Sequence, residues 1–248
     1  MNGLVSSLGR FKLILPELWS MHNFKNNLDV TEFLRSGFEL KSHLANYLGI
    51  TKEKLEELMP NSSEDLAAIH PGSLASEEVL RFYEKEVGTA HLIELSAWHL
   101  SSRDYISDTL RLQGMFAKGQ VLDFGGGIGT HALAAAALPE VEHVWFVDLN
   151  PHNRNFVIRR AKSLGIEKNI SVHRDLDSTG NIKFDTLVCL DVLEHIPNPS
   201  EQLFAFKKRL SKNSVALLNW YFFKGFKGEY PFHFNDPSMI SEFFKYLQ

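Results

Sequence analysis

Cysteine is almost missing. Cys189 stands alone among 248 residues, so neither a disulfide framework nor a cysteine metal cluster can form. A reducing compartment fits that usage. An excess of one charge is missing as well: 26 Lys and Arg against 30 Asp and Glu give a formal net charge of -4. That balance leaves no electrostatic footprint for duplex nucleic acid or an anionic membrane. Long apolar runs are absent too. The stretch "FKLILPELW" is broken by Pro16 and Glu17, so it is no signal h-region. Nothing approaches the ~20 apolar residues that span a bilayer. These absences predict a cytoplasmic chain with no nucleic-acid and no membrane partner. What is plentiful is core material: 44% of residues are hydrophobic and 12% aromatic, enough for one large domain or a domain with a cap.

The chain changes character near residue 110. Residues 1–110 read as a helical N-terminal cap, suited to dimerisation or to a substrate wall. "VTEFLRSGFELKSHLANYLG" carries helical spacing up to Gly49. "TKEKLEELMP" follows, with Thr51 as N-cap and Pro60 as a stop. The stretch "SEEVLRFYEKEVGTAHLIELSAWHLSSRDYISDTLRLQGMF" is the longest helical segment, with Gly88 as its dividing point. Residues 111–248 alternate short apolar runs with helices: "GQVLDF", "HVWFVDL", "ISVHRDL", "FDTLVCLDVL" and "NSVALLNWYFF" read as five strands. That rhythm predicts an α/β fold, a doubly wound and mostly parallel sheet.

The first strand runs into a turn, "VLDFGGGIGTH". Ligands of open α/β sheets sit beyond the carboxyl ends of the strands, where this turn lies. Two readings compete. A dinucleotide fingerprint, G-x-G-x-x-G counted from Gly125, needs a small residue where Thr130 stands. An acid followed by x-G-x-G-x-G is met in full by Asp123, Gly125, Gly127 and Gly129. An acid before the turn is unwelcome beside a pyrophosphate and welcome beside an amine. Asp148, Asp175 and Asp191 follow the next three strands at the same edge. Four carboxylates there call for a ligand with an ammonium, a vicinal diol and an adenine amine, because unpaired buried carboxylates are costly.

Over roughly residues 118–245 the sequence resembles the class I S-adenosylmethionine-dependent methyltransferases of the small-molecule type. "VLDFGGGIGTHALAAA" is similar to the family's first motif and "VWFVDLNPHN" to its second. "HRDLDS" resembles the adenine-contacting stretch, and "FDTLVCLDVLEHIPNPSEQLFAFKKRL" the fourth-strand signature. The resemblance implies a Rossmann-like fold, S-adenosylmethionine as cofactor and S-adenosylhomocysteine as product. It implies that Phe124, Gly125, Gly126 and Gly127 pass under the methionine portion, with Asp123 at its amine. It further implies Asp148 on the ribose hydroxyls, Leu149 on adenine, Asp175 and Leu176 at the adenine edge, and Asp191 and Val192 along the methyl donor. The acceptor is a small molecule attacked at oxygen, nitrogen or carbon.

Methyl transfer from a sulfonium rests largely on positioning, and a base is needed only if the acceptor loses a proton. In "DVLEHIP", His195 is the candidate base, with Asp191 beside it. Glu194 and His195 could instead share a metal, but further ligands are not recognisable by spacing, so no metal is expected. The third reading makes this loop purely structural. Tyr83, His91, Trp98 and His99 of the cap, and Tyr221, Phe223, His233 and Phe234 beyond the fifth strand, are candidate acceptor contacts, or else core packing under a lid hinged at Gly225 and Gly228. The helix-turn-helix look of "LANYLGITKEKLEELM" has no clustered basic residues to support DNA reading. Two other functions stay open: a silent cofactor-binding fold used as an interaction module, and a nicotinamide oxidoreductase.

The C-terminus departs from the family pattern of seven strands. "DPSMISEFFKYLQ" reads as the helix before the final hairpin, with Asp236 as N-cap and Pro237 at its first position. The hairpin itself is missing from the sequence, and the fifth strand would leave an apolar edge. The expectation is that a segment beyond Gln248, the N-terminal helices or a homodimer partner covers it.

Overall fold

A computed structural model describes residues 28–69, 76–227 and 230–247. The readings of "FKLILPELW" and of Gly228 as a hinge lie outside them. Five strands form one sheet in the order β3-β2-β1-β4-β5: β1 Gly119–Phe124, β2 Val141–Val147, β3 Ile170–His173, β4 Phe184–Cys189 and β5 Leu210–Leu218. All four pairings are parallel, as the strand–helix alternation predicts. The order reverses between β1 and β4, so the crevice of this sheet opens at their carboxyl ends. No helix among the described residues is long and apolar enough to cross a membrane.

The N-terminal half supplies helices α1 Val30–Ser36, α2 Leu40–Leu48, α3 Lys52–Leu58, α4 Ser62–Ile69, α5 Ser76–Arg81, α6 Ala90–Ser101 and α7 Arg103–Phe116. Thr51 caps α3 through its hydroxyl, which accepts from the Lys54 N–H at 3.2 Å. The long helical segment breaks where expected, at Gly88 with φ +54. A π-helical turn over Phe82–Glu86 precedes that break. It breaks again at Ser102, the boundary between α6 and α7. The first segment is interrupted at Gly37, Phe38 and Glu39, all three in the left-handed region. Arg160 explains why that strained turn holds. Its side chain is fully buried and donates to the carbonyls of Gly37 and Phe38 at 2.9 and 3.1 Å, and to that of Ile128 at 2.9 Å. One cation thus ties the turn to the glycine-rich loop. Burial without a carboxylate partner pushes its pKa down to about 9.

The cap and sheet share one core. Leu28, Phe33 and Phe38 pack in the same cluster as Val121, Val144 and Phe146. In the second half, α8 is Thr130–Ala136, α9 Pro151–Ser163, α10 Pro199–Arg209 and α11 Pro237–Leu247. The start of α11 is as expected: Asp236 Oδ1 accepts from the Met239 N–H at 2.8 Å and Pro237 opens the helix. Among the described residues no strand pairs with the outer edge of β5. Helix α7 touches that strand, and Lys212, Asn213 and Ala216 remain exposed.

Four strands end earlier than their sequences suggest: β2 at Val147, β3 at His173, β4 at Cys189 and β5 at Leu218. β3 stops at His173, because Arg174 leaves the sheet to bond Glu84 of the cap at 2.6 and 3.0 Å. β5 stops at Leu218, because the Asn219 side chain turns toward Asp191.

Candidate functional site

The glycine turn sits at the carboxyl end of β1. Gly125 and Gly127 have φ of +71 and +55, which side chains with a Cβ adopt at a cost. Space is the second constraint. A Cβ on Gly125 would stand 2.5 Å from Val192 Cγ2, and one on Gly127 2.8 Å from Leu95 Cδ1. The loop after β4 and helix α6 therefore close over the turn from two sides. Gly126 lies directly on Asp123, whose Oδ2 would be 2.5 Å from a Cβ there.

Asp123 is 3% exposed, and its Oδ2 has no hydrogen-bond partner. Burial pushes its carboxyl up to about 7, partly offset by a bond to the Ala132 backbone. Asp148 is better satisfied. It accepts from Gly127 N–H at 2.9 Å, Asn150 N–H at 2.8 Å and the Asn153 amide at 3.2 Å to each oxygen. Burial still pushes it up to about 6. One acid thus carries an orphaned acceptor and the other holds the turn shut. Leu149 beside it is half-buried, and the Phe124 ring meets Phe206 edge-on at 4.9 Å.

Asp175 is satisfied locally. It lies two residues past β3, accepts from the Ser178 N–H at 2.9 Å and pairs with Arg174 at 2.7 Å. Leu176 behind it is buried. Asp191 is the one non-glycine residue of the strand-end loops in the left-handed region, at φ +56. Tyr105 Oη donates to it at 2.9 and 3.2 Å, and the Asn219 amide at 2.6 Å. Burial raises its carboxyl while those bonds lower it.

Four of the expected acceptor contacts meet in one chain of rings with His195. Tyr83 and His91 lie 5.6 Å apart between centroids, Tyr83 and His195 6.1 Å, His195 and His233 4.7 Å, and Tyr221 and His233 5.8 Å. Tyr83 Oη sits 3.1 Å from His195 Nδ1. Trp98 instead turns to Tyr105 at 5.8 Å and packs against the shared core. Burial, with His233 and His91 nearby, pushes His195 down to about 3. At neutral pH the ring is therefore uncharged, and it is a poor proton acceptor while buried this way.

Sequence reasoning missed Tyr105, Asn219 and Glu94. The last is the only acid in the apolar stretch "AHLIELSAWHLS", a signal that was available. His91, Glu94, Leu95 and Trp98 share one face of α6 at helical spacing. Burial pushes Glu94 up to about 7, and its charge is felt at Tyr83, as are those of Glu194 and Asp148. Tyr83 is the hub of this cluster of rings.

The arrangement suits S-adenosylmethionine. An ammonium would satisfy the orphaned Asp123 Oδ2, directly or through water, whereas a diol would have to take Asp148 oxygens that each already accept a backbone N–H and share the Asn153 amide. The comparisons with known proteins agree. A family model described as a methyltransferase domain matches residues 97–222. A ubiquinone biosynthesis O-methyltransferase of Xylella fastidiosa is 34% identical over 103 residues, covering 39% of this chain and 38% of the relative. One of the same name from Xanthomonas oryzae pv. oryzae is 28% identical over 122 residues, 47% of each chain. The chain thus spans less than half the length of the curated relatives it matches. A crystal structure of an S-adenosylmethionine-dependent methyltransferase from Clostridium acetobutylicum aligns at 20% identity and a TM-score of 0.37, over 46% of each chain.

Proposed function

We propose that this chain, which belongs to the methyltransferase-domain family of class I S-adenosylmethionine-dependent enzymes, methylates a hydroxyl oxygen of a small phenolic molecule. The observation that carries the reading is the juxtaposition at the sheet's crevice. Leu95 of α6 packs on Gly127 of the turn, and Asn153 bonds Asp148 at 3.2 Å and lies 3.4 Å from His91, the first member of the ring cluster with Tyr83, His195 and His233. The turn's side takes the cofactor and the ring cluster takes the acceptor. Oxygen as the attacked atom follows the printed names of both curated relatives.

The acidity of Glu94 favours a phenol. A carboxylate near pKa 7 is a better-matched base for a phenol, at about 10, than for an aliphatic alcohol, whose hydroxyl is about as weak an acid as water at about 15.7. Glu94 takes the phenol's proton in this reading. Tyr83 and His195 orient the hydroxyl, and the aromatic walls from Tyr83 and Tyr221 exclude water. S-adenosylmethionine, when bound, supplies a methyl on a sulfonium: the oxygen's electron pair forms the new O–C bond as the C–S pair returns to sulfur, leaving S-adenosylhomocysteine. The lone, buried Cys189 suits the reducing cytoplasm.

A panel of phenols, catechols, aliphatic alcohols and amines with methyl-labelled cofactor tests this. Label transferred to a phenol or catechol and not to alcohols is the expected result. Label appearing only on nitrogen or carbon would overturn the choice of oxygen.

A further inference from the structure

Asp148 has no acceptor capacity left. A carboxylate offers about four lone-pair sites, and all are taken. The Asn150 N–H donates to Oδ1 at 2.8 Å, the Gly127 N–H to Oδ2 at 2.9 Å, and the Asn153 amide to each oxygen at 3.2 Å. The two backbone bonds are short and fixed by the turns that carry them. The amide bonds are longer than the usual ~2.9–3.0 Å and come from a side chain that can rotate. A vicinal diol brings two donors to this acid, so the bonds that yield are those of Asn153.

Asn153 is the third residue of α9 and fully buried. Its Nδ2 also stands 3.4 Å from His91 Nδ1, while its Oδ1 is buried with no hydrogen-bond partner. An amide nitrogen only donates, so Nδ1 is the bare nitrogen of the His91 ring and Nε2 carries the proton. Burial pushes His91 down to about 4, which keeps the ring neutral at physiological pH. One amide therefore touches both the acid of the cofactor side and the first ring of the acceptor side. His91 lies 5.6 Å from the Tyr83 ring, whose Oη stands 3.1 Å from His195 Nδ1. On the basis of the proposed methyl transfer, we infer that Asn153 is a positioning residue coupling the two sides: as Asp148 accepts the ribose hydroxyls, the Asn153 amide leaves the acid and closes its hydrogen bond onto His91 Nδ1.

The surroundings allow that exchange and little else. Turning the amide over would set Oδ1 against a carboxylate that also only accepts. His91 Nδ1 is then the remaining acceptor in reach of Nδ2 among the described residues. The backbone need not move, because Asn150 pins the cap to this edge: its amide donates at 2.9 Å to the carbonyl of Gly88, three residues before His91. A closer bond at Nδ1 holds His91 as the Nε2–H form and fixes its ring beside Tyr83. Such coupling is reciprocal. An acceptor that uses His91 as a donor binds better once the methyl donor is in place, and the cofactor binds better when His91 can receive the amide.

Long-range nitrogen–proton NMR of protein carrying isotopically labelled histidine reads each ring nitrogen, and His91→Phe assigns the signal. Titration with S-adenosylhomocysteine, which has the ribose diol and no methyl to transfer, should move His91 Nδ1 toward the resonance of a hydrogen-bonded nitrogen and leave Nε2 protonated. Asn153→Leu should abolish the movement. Calorimetry on the wild type, both single variants and the double variant gives the coupling. His91→Phe should weaken S-adenosylhomocysteine binding about threefold or more when Asn153 is present, and should leave it unchanged in the Asn153→Leu background. Circular dichroism confirms that each variant is folded, and the wild-type titration decides alone should Asn153→Leu not fold. Saturable binding with the His91 signal unmoved, or an equal effect of His91→Phe in both backgrounds, would overturn the coupling and leave the proposed function standing. No binding of S-adenosylhomocysteine by the wild type would overturn both.

Discussion

Tyr105 Oη donates to the Asp191 carboxylate at 2.9 Å, joining helix α7 of the N-terminal half to the loop after β4. The bond holds a residue in an unfavourable backbone conformation, φ +56, which costs about 1–2 kcal/mol. Asn219 holds it from the other side, with its Oδ1 accepting from the Asp191 N–H at 2.5 Å. Tyr105→Phe should lower stability by about 0.5–1.5 kcal/mol, the net worth of a typical hydrogen bond, because Tyr105 is 38% exposed. It should also weaken S-adenosylmethionine binding several-fold, because Val192 follows Asp191 onto the glycine turn. Urea denaturation and calorimetry read the two effects. Wild-type values in both would show that this contact positions nothing.

Asp123 links stability to pH. Its folded carboxyl is raised to about 7 from 3.8 by burial, so folding favours the protonated form. That stability is fully present below the unfolded pKa and is lost as pH rises from about 4 to about 7. Asp123→Asn removes the dependence. The variant should gain on the wild type by about 2–4 kcal/mol across that window, while losing affinity for the cofactor's amine. Parallel stability–pH curves for the two proteins would contradict the burial account.

Much of the fold was legible because each strand is a short apolar run beside a helical one. The existence of five strands, the Gly88 break and the caps at Thr51 and Asp236 follow from local chemistry. The errors are long-range. β3 ends at His173 because Arg174 reaches Glu84, 90 positions away. The turn at Gly37–Glu39 is held by Arg160, 123 positions from Gly37 and 122 from Phe38. The site divides in the same way. Asp123 and the glycines share one motif and Asp148 closes the next apolar run, so their place at one sheet edge was readable, and the Gly127 N–H bond to Asp148 joins them. Tyr105 and Asn219 gain their roles only through contacts that sequence spacing does not encode, whereas Glu94 stands out as the one acid in its apolar helix.

In the proposed reaction Glu94 sets the pH profile. As a base raised to about 7, it is competent only when ionised, so turnover should rise with pH through about 7 and then level off. Glu94→Gln should lower kcat by about 100-fold or more and abolish that rise, with cofactor affinity intact. An unchanged profile in the variant would remove Glu94 from the reaction.

The central claim is that the turn between β1 and α8, with Asp148 across from it, binds S-adenosylmethionine. Isothermal titration of the wild type and of Asp148→Ala with S-adenosylmethionine and S-adenosylhomocysteine tests it most directly. The account predicts saturable one-to-one binding of both ligands by the wild type. It predicts a loss of about 1.5–3 kcal/mol in the variant, the worth of charge-assisted bonds to a diol. Absence of binding to either ligand, or equal affinity in a folded Asp148→Ala protein, would contradict it.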